Sequence, residues 1–262
     1  MTHIDSSAIA LQPAPSEEVE VRMARGPDEI EAAQRLRYRV FYEEMGAKAC
    51  PRTRSSGLDQ DDYDRVCDHL LAFAGRDVIG TYRLIRRSAA AQAGGFYSAA
   101  EFDIGPLVRH PGEILELGRS CVDANWRNRG VLNALWQGLA AYIAQHQITL
   151  LFGCASLPGT DTAALAPQLA YLKDHHLAPE ELRAKALADR RAEAAIAAYD
   201  SRRTLCSLPP LLKGYLRAGA WVGEGAVIDA QFNTTDVLVT LDTALLGERY
   251  LRTFGQKGSE AA

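Results

Sequence analysis

Apolar and polar positions divide the chain into short alternating runs and two long helical stripes. Residues 18–23 (EVEVRM) alternate and predict a first strand. Pro27 suits the first turn of a helix, with Asp28 and Glu29 at its positive end. Ile30, Ala33, Leu36, Val40 and Phe41 then recur at helical spacing, which predicts a helix to about Met45. A polar loop, 46–65, carries Asp59, Asp61, Asp62 and Asp64. Cys67, Asp68 and His69 lead into an apolar strand over 70–74, and 78–85 returns as its hairpin partner across Gly75. Residues 86–112 read as a looser connector with a short helix over 97–102.

The second stripe follows residues 113–119. Val131, Leu132, Leu135, Trp136, Leu139, Ala140 and Ile143 share one helix face after Gly130. The run 148–154 (ITLLFGC) is nearly all apolar, as at a sheet centre. Two strands joined through one helix predict a right-handed crossover. Asp161 caps what comes next, a segment rich in Ala, Leu, Glu and Arg. It reads as a helical insertion around 160–205, two or three helices interrupted by Pro167 and Pro179. Residues 211–218 predict another helix, stopped by Gly219, and 221–231 and 235–241 the last strands. The expected organisation is a disordered tail over 1–16, one α/β domain over 17–245, and a flexible tail over 246–262.

Composition narrows the function. A net charge of −4 does not suggest non-specific nucleic-acid binding, so any anion site must be a local cluster. The 5 cysteines are scattered, which argues against a disulfide framework or a zinc site and fits a reducing cytoplasm. The polar, acidic start is unlike a signal peptide, and no run approaches the roughly 18 apolar residues of a membrane span. The expectation is a cytoplasmic protein, with peripheral contact at the inner membrane left open. His175-His176 has no carboxylate or cysteine at ligand spacing and reads as a surface pair, so no metal is expected.

The candidate chemistry centres on 113–143. Glu116 is an isolated acid among Ile114, Leu115 and Leu117, costly there unless paired or functional. Two readings stand: a general base, or a structural ion pair with an arginine such as Arg119. Strict alternation puts Glu116 and Arg119 on opposite faces, so a shared site requires a bulge, for which Gly118 is the candidate. Arg127, Asn128, Arg129, Gly130 and Val131 form a basic turn at a helix start, a geometry suited to anions. Arg37 reads either as a snorkelling side chain or as a ligand-facing one. The acidic loop reads either as a solvated face or as a receiver of an ammonium group.

A mixed, mostly antiparallel sheet flanked by helices, with a bulged strand and a basic turn feeding a helix, resembles the GNAT acyltransferase fold. In that fold the turn carries Q/R-x-x-G-x-G/A. Here Arg127 and Gly130 fit, while Leu132 replaces the final small residue, a departure that points away from plain acetyl-CoA. The segments LRYRVFYEEMGA (36–47), DDYDRVCDHLL (61–71), GTYRLIRR (80–87), ELGRSCVDANWR (116–127), SLPGTD (156–161) and 208–238 resemble bacterial L-ornithine Nα-acyltransferases. These are often labelled hemolysin-like. The resemblance runs, with gaps, over about 18–242. It implies transfer of a 3-hydroxy fatty acyl group from acyl carrier protein to the α-amine of L-ornithine. The product is lyso-ornithine lipid, and no cofactor is implied beyond the carrier's phosphopantetheine arm. A more distant similarity to acyl-homoserine-lactone synthases rests on Arg37 with Phe41, the Asp62/Asp64 loop, Gly80 with Arg83, and Glu116 with Arg119. It implies that Arg37 and Arg83 belong to the site.

The roles that follow are expectations. Glu116 or His69 takes the amine's proton. Backbone N–H groups at Ser120, Cys121 and Val122 hold the oxyanion. Tyr215, matching the Tyr and Gly of a Y-x-x-x-G-F pattern, protonates the thiolate or simply packs. Arg37 or Arg83 holds the ornithine carboxylate, and Asp62, Asp64 and Asp68 stand with Phe41 as substrate contacts. Arg127 and Arg129, with Arg202 and Arg203, would meet the acidic carrier protein. The rival readings are another acyltransferase of this fold, acting on homoserine lactone precursors, glycine or lysine, and a membrane-active protein.

Overall fold

The computed structural model describes residues 18–127, 130–193 and 197–246. The two expected tails fall outside these residues, except for Leu246, which is buried in the core.

The leading elements are β1 (Val19–Met23), α1 (Pro27–Tyr38), α2 (Pro51–Ser56), β2 (Asp68–Ala74), β3 (Asp77–Arg86), α3 (Arg87–Ala93), β4 (Phe102–Asp103) and α4 (Gly105–Val108). The alternation and the hairpin appear as the sequence predicts. The first helix does reach Glu44, but its last turn, Arg39–Glu44, widens into a π-helix. The short helix expected over 97–102 is a single 3₁₀ turn, Tyr97–Ala100, with Phe102 already in β4.

Then come β5 (Glu113–Val122), α5 (Val131–His146), β6 (Ile148–Pro158), α6 (Thr162–His176), β7 (Lys185–Ala186), α7 (Ser201–Ser207) and α8 (Pro210–Ala218). The chain's last strands are β8 (Trp221–Val222), β9 (Val227–Asp229) and β10 (Thr234–Asp242). Two corrections belong here. Among the described residues the insertion is α-helical at its two ends, with one 3₁₀ turn, Glu180–Leu182, between them. Pro167 lies inside α6, and the two-residue strand β7 follows the 3₁₀ turn and pairs with β4. The strand expected over 221–231 is split in two, because Gly225 turns the chain at φ +87°, where most side chains are strained.

Eight strands form one sheet in the order β1-β2-β3-β5-β6-β10-β8, with β9 also on β10. Every pair is antiparallel except β5–β6. Leu70 and Ala72 face α5, whose Leu135 and Leu139 are fully buried, while Leu71 and Phe73 face α1 on the opposite side. Alternation in β2 thus serves two helices, one on each face.

The parallel pairing of β5 with β6 runs from Glu113 to Glu116 and stops at Glu116–Phe152. At this fork a Cβ on Gly153 would stand 2.2 Å from the Leu117 carbonyl oxygen. Backbone meets backbone, so no flexible side chain can yield. Gly153→Ala should therefore lower the unfolding free energy by roughly 1–3 kcal/mol, read from a urea midpoint, and push β5 and β6 apart.

Candidate active site

The fork sits beside a bulge. Thr81 pairs with Cys121 and Arg83 with Gly118, so Arg119 and Ser120 together oppose Tyr82. Arg119 takes φ +48°, an uncommon conformation for a side chain of its size. The bulge is thus one residue past the expected glycine, and Gly118 itself is ordinary strand. Its effect matches the requirement: Glu116 and Arg119 line the same cavity of about 70 Å³. They are not ion-paired. Arg119 Nε is 3.2 Å from Asp59 Oδ2, and its guanidinium lies over the rings of Tyr97 and Phe232.

Glu116 is 2% exposed. Its two carboxylate oxygens accept the backbone N–H groups of Tyr97 and Ser98, each at 2.7 Å, and the Ser98 hydroxyl. Burial pushes its pKa above the ordinary value, against the pull of those donors and of Arg83. A buried carboxylate that is fixed in place and holds its proton more tightly than usual is a stronger base than an ordinary one and suited to proton transfer.

Opposite lies a buried lattice of ions. Arg37, fully buried, donates to both oxygens of Asp64, at 3.0 and 2.7 Å, and its Nε lies 2.8 Å from Asp59. Arg83 reaches Asp61 at 2.6 Å and Asp64 at 3.2 Å. The 57–66 loop is therefore bound to the sheet through charge, and several expected roles fall away. Arg37 neither snorkels nor lines the cavity; its donors are spent inside. Asp64 is spent on Arg37 and Arg83. Asp62 is exposed and, among the described residues, pairs with Arg65. Asp68 accepts the Tyr142 hydroxyl at 2.5 Å, toward α5 and away from the cavity. Phe41 stands behind the cavity, edge-on to Phe232. His69 is 2% exposed, bonded through Nε2 to the Asp64 carbonyl, with burial lowering its pKa. It braces the loop and is absent from the cavity wall. Arg83 alone of the expected substrate contacts is on that wall.

Beyond the fork, Leu117, Gly153, Cys154 and Tyr215 line a narrow apolar slot. The Tyr215 hydroxyl is 3.2 Å from that of Tyr82, which has Ser120 beside it. Leu117 and Cys154 line both spaces, so slot and cavity meet there. Cys121 is buried, and its thiol is pushed up to about 12, which makes it inert. Val122 accepts Arg127 Nε through its carbonyl at 3.2 Å. Arg127 forms a two-pronged pair with Glu44 on the surface, one prong at 2.7 Å. Gly130, at φ +77°, starts α5, and Val131 behind it is fully buried. Asn128 and Arg129 lie outside the described residues.

Tyr97, Ser98, Asp229, Phe232, Asp236 and Cys154 complete the cavity and were not anticipated. One of them carried a readable signal. Asp236 is the lone acid of TDVLVTL, the same anomaly that singled out Glu116.

The acetyltransferase (GNAT) domain family matches residues 36–137. An L-ornithine N(alpha)-acyltransferase of Agrobacterium fabrum is 44% identical over 249 residues, covering 90% of this chain and 85% of its own. One of Rhodobacter capsulatus is 44% identical over 239 residues, with 88% and 92% covered. One of Brucella abortus is 41% identical over 253 residues, with 92% and 90% covered. Among solved structures, the N-acyl amino acid synthase FeeM of uncultured soil microbes aligns with a TM-score of 0.51 at 14% identity, covering 90% of this chain and 98% of its own. The acyl-homoserine-lactone synthase LasI aligns at 0.50 and 15% identity, covering 91% and 96%. Those two likenesses are of fold. With four-tenths of its residues shared along nine-tenths of its length, the chain belongs to the L-ornithine N(alpha)-acyltransferase family: it is an acyltransferase enzyme with the GNAT fold.

Proposed function

We propose that the enzyme transfers a 3-hydroxy fatty acyl group from acyl carrier protein to the α-amine of L-ornithine. The product would be lyso-ornithine lipid, the first step of ornithine lipid biosynthesis. The observation that carries the reading is the joint position of Glu116 and Arg119 on one cavity beside the strand fork, in a chain so similar to enzymes named for ornithine.

The amine attacks only once deprotonated. Glu116 takes its proton, directly or through one water. The Arg83–Arg119 wall holds the α-carboxylate. The carrier's thioester arrives through the slot, and N–H groups left outside regular pairing by the bulge at Arg119 and Ser120 take the oxyanion. As the C–N bond forms, the nitrogen's surplus proton leaves to water; collapse breaks the C–S bond, and Tyr215, kept protonated by burial and by Tyr82, gives the thiolate its proton and regains one from water. No helix among the described residues is long and apolar enough to cross a membrane. The lipid product is compatible with peripheral contact at the inner membrane.

Incubation of the pure protein with 3-hydroxyacyl carrier protein and a panel of amines tests the reaction. A lyso-ornithine lipid in the mass spectrum supports it; acylation of another amine but not ornithine overturns it. Carrier docking has its own test. Arg127→Ala should raise KM for the carrier protein about 3- to 10-fold, with kcat unchanged, and the difference should shrink as salt rises.

A further inference from the structure

The acidic loop is neutralised by three arginines, so the acceptor's second amine needs another receiver. The far wall of the cavity offers one. Asp236 on β10 is 6% exposed; the hydroxyls of Ser156 and Thr234 stand beside its carboxylate, but its buried Oδ1 has no well-formed hydrogen bond and, among the described residues, no cation is paired with it. Asp229, from β9, lines the same cavity. Glu101 stands behind it, its Oε2 3.5 Å from Cys154 Sγ, and ligand atoms of Glu101, Cys154 and Asp236 lie within 4.8 Å of one another. Asp229 is half-buried and accepts the backbone N–H groups of Gln231 and Phe232, and Glu101 is half-buried too, so the cost of a carboxylate without an ion pair falls mainly on buried Asp236 unless a cation arrives.

We propose that Asp236, with Glu101 and Asp229, receives the side-chain ammonium of the acceptor and so selects a diamino acid over a neutral one of equal length. This rests on the reading of the reaction above. Ornithine carries one carboxylate and two amines; the cavity offers a cationic wall, a base and an acidic corner. Burial, with Asp236 and Asp229 adding to it, pushes Glu101 up to about 7. Cys154 from β6 faces it, and Arg190 acts from farther off in the opposite sense. Below pH 7 Glu101 keeps its proton and attracts an ammonium group less.

The test compares ornithine with norvaline, which is ornithine without the δ-amine. In the wild type the norvaline/ornithine ratio of KM should rise as pH climbs through about 7, where Glu101 ionises. Protonation of the α-amine, common to both acceptors, cancels in the ratio. Asp236→Asn should raise KM for ornithine about 10- to 100-fold and leave that for norvaline unchanged. Glu101→Gln should flatten the pH dependence of the ratio. A ratio that is flat in pH and unaltered in both variants overturns the proposal while leaving ornithine acylation standing. Failure of the wild type to acylate any amino acid overturns both readings. The corner's other reading is a divalent metal site. Tight zinc or manganese binding by titration calorimetry, lost in Asp236→Asn with acceptor preference intact, also overturns the proposal.

Discussion

Glu116→Gln should lower kcat by about 10²- to 10⁴-fold and leave KM for the acyl donor nearly unchanged. The amide keeps the shape and can still accept from Tyr97 or Ser98, but it cannot take a proton. Because burial raises the carboxyl's pKa, the acid limb of the wild-type pH–kcat profile should lie above the ordinary carboxylate range. Activity rises with pH as Glu116 loses its proton, and the variant should show no such limb. The Glu101 effect belongs to acceptor KM, so the two titrations separate in kcat and KM. One acceptor oxygen is replaced by an NH2 group, and two of the three donors it met or stood beside are backbone N–H groups that cannot turn away. A small stability loss of about 1–3 kcal/mol is expected alongside. Thermal melts on the same preparation keep the two effects apart. Unaltered kcat in a folded variant would remove Glu116 from the chemistry.

Asp64→Ala should be the most destabilising single change of those considered. It strips Arg37, fully buried, of two hydrogen bonds and Arg83 of one partner. Breaking one end of a buried pair costs about 3–5 kcal/mol, which for a chain of this size lowers Tm by roughly 10 °C. Changing both ends, Arg37→Met with Asp64→Leu, should recover part of that loss, since no buried charge is left alone. The pH dependence has a definite sign. The arginines hold the Asp64 carboxyl well below its ordinary 3.8. Its contribution is therefore complete above pH 4 and drains away as pH falls toward the folded value. Urea midpoints at neutral and acid pH would measure this, and the Asp64→Ala variant should lack the acid-side loss. A midpoint within error of wild type would mean the lattice does not hold the loop.

The sequence made the strand and helix order plain because each element obeys its own period. The limits are specific. Glu116 stood out as an acid in an apolar run, and so did Asp236, but only the first had a recognisable motif around it. The expected helix stripe placed Arg37 over the core without showing that Asp59 and Asp64 return from another part of the chain to meet it. The donors on Glu116 are mostly main-chain N–H groups of Tyr97 and Ser98, which every residue but proline possesses, so no side-chain pattern marks them. The bulge had to exist for Glu116 and Arg119 to share a cavity, yet glycine was the wrong guide. The backbone strain is carried by Arg119 itself, held by Asp59, Asp61 and two aromatic faces.

Cys154, one residue past the fork, has a further consequence for redesign. With Leu117 it lines both the narrow slot beyond the fork and the cavity that holds Glu116, where the two spaces meet. The strand that carries it also registers β10, where Asp236 sits opposite Ser156. If Asp236 receives the acceptor's ammonium as proposed, acceptor preference is not a detachable loop property. A chimera that imports β10 from a relative with a different acceptor, without its own β6, would change the gap between the two reactants along with the pocket. Such grafts should move the two strands as a unit, and leave β5 with Glu116 in place.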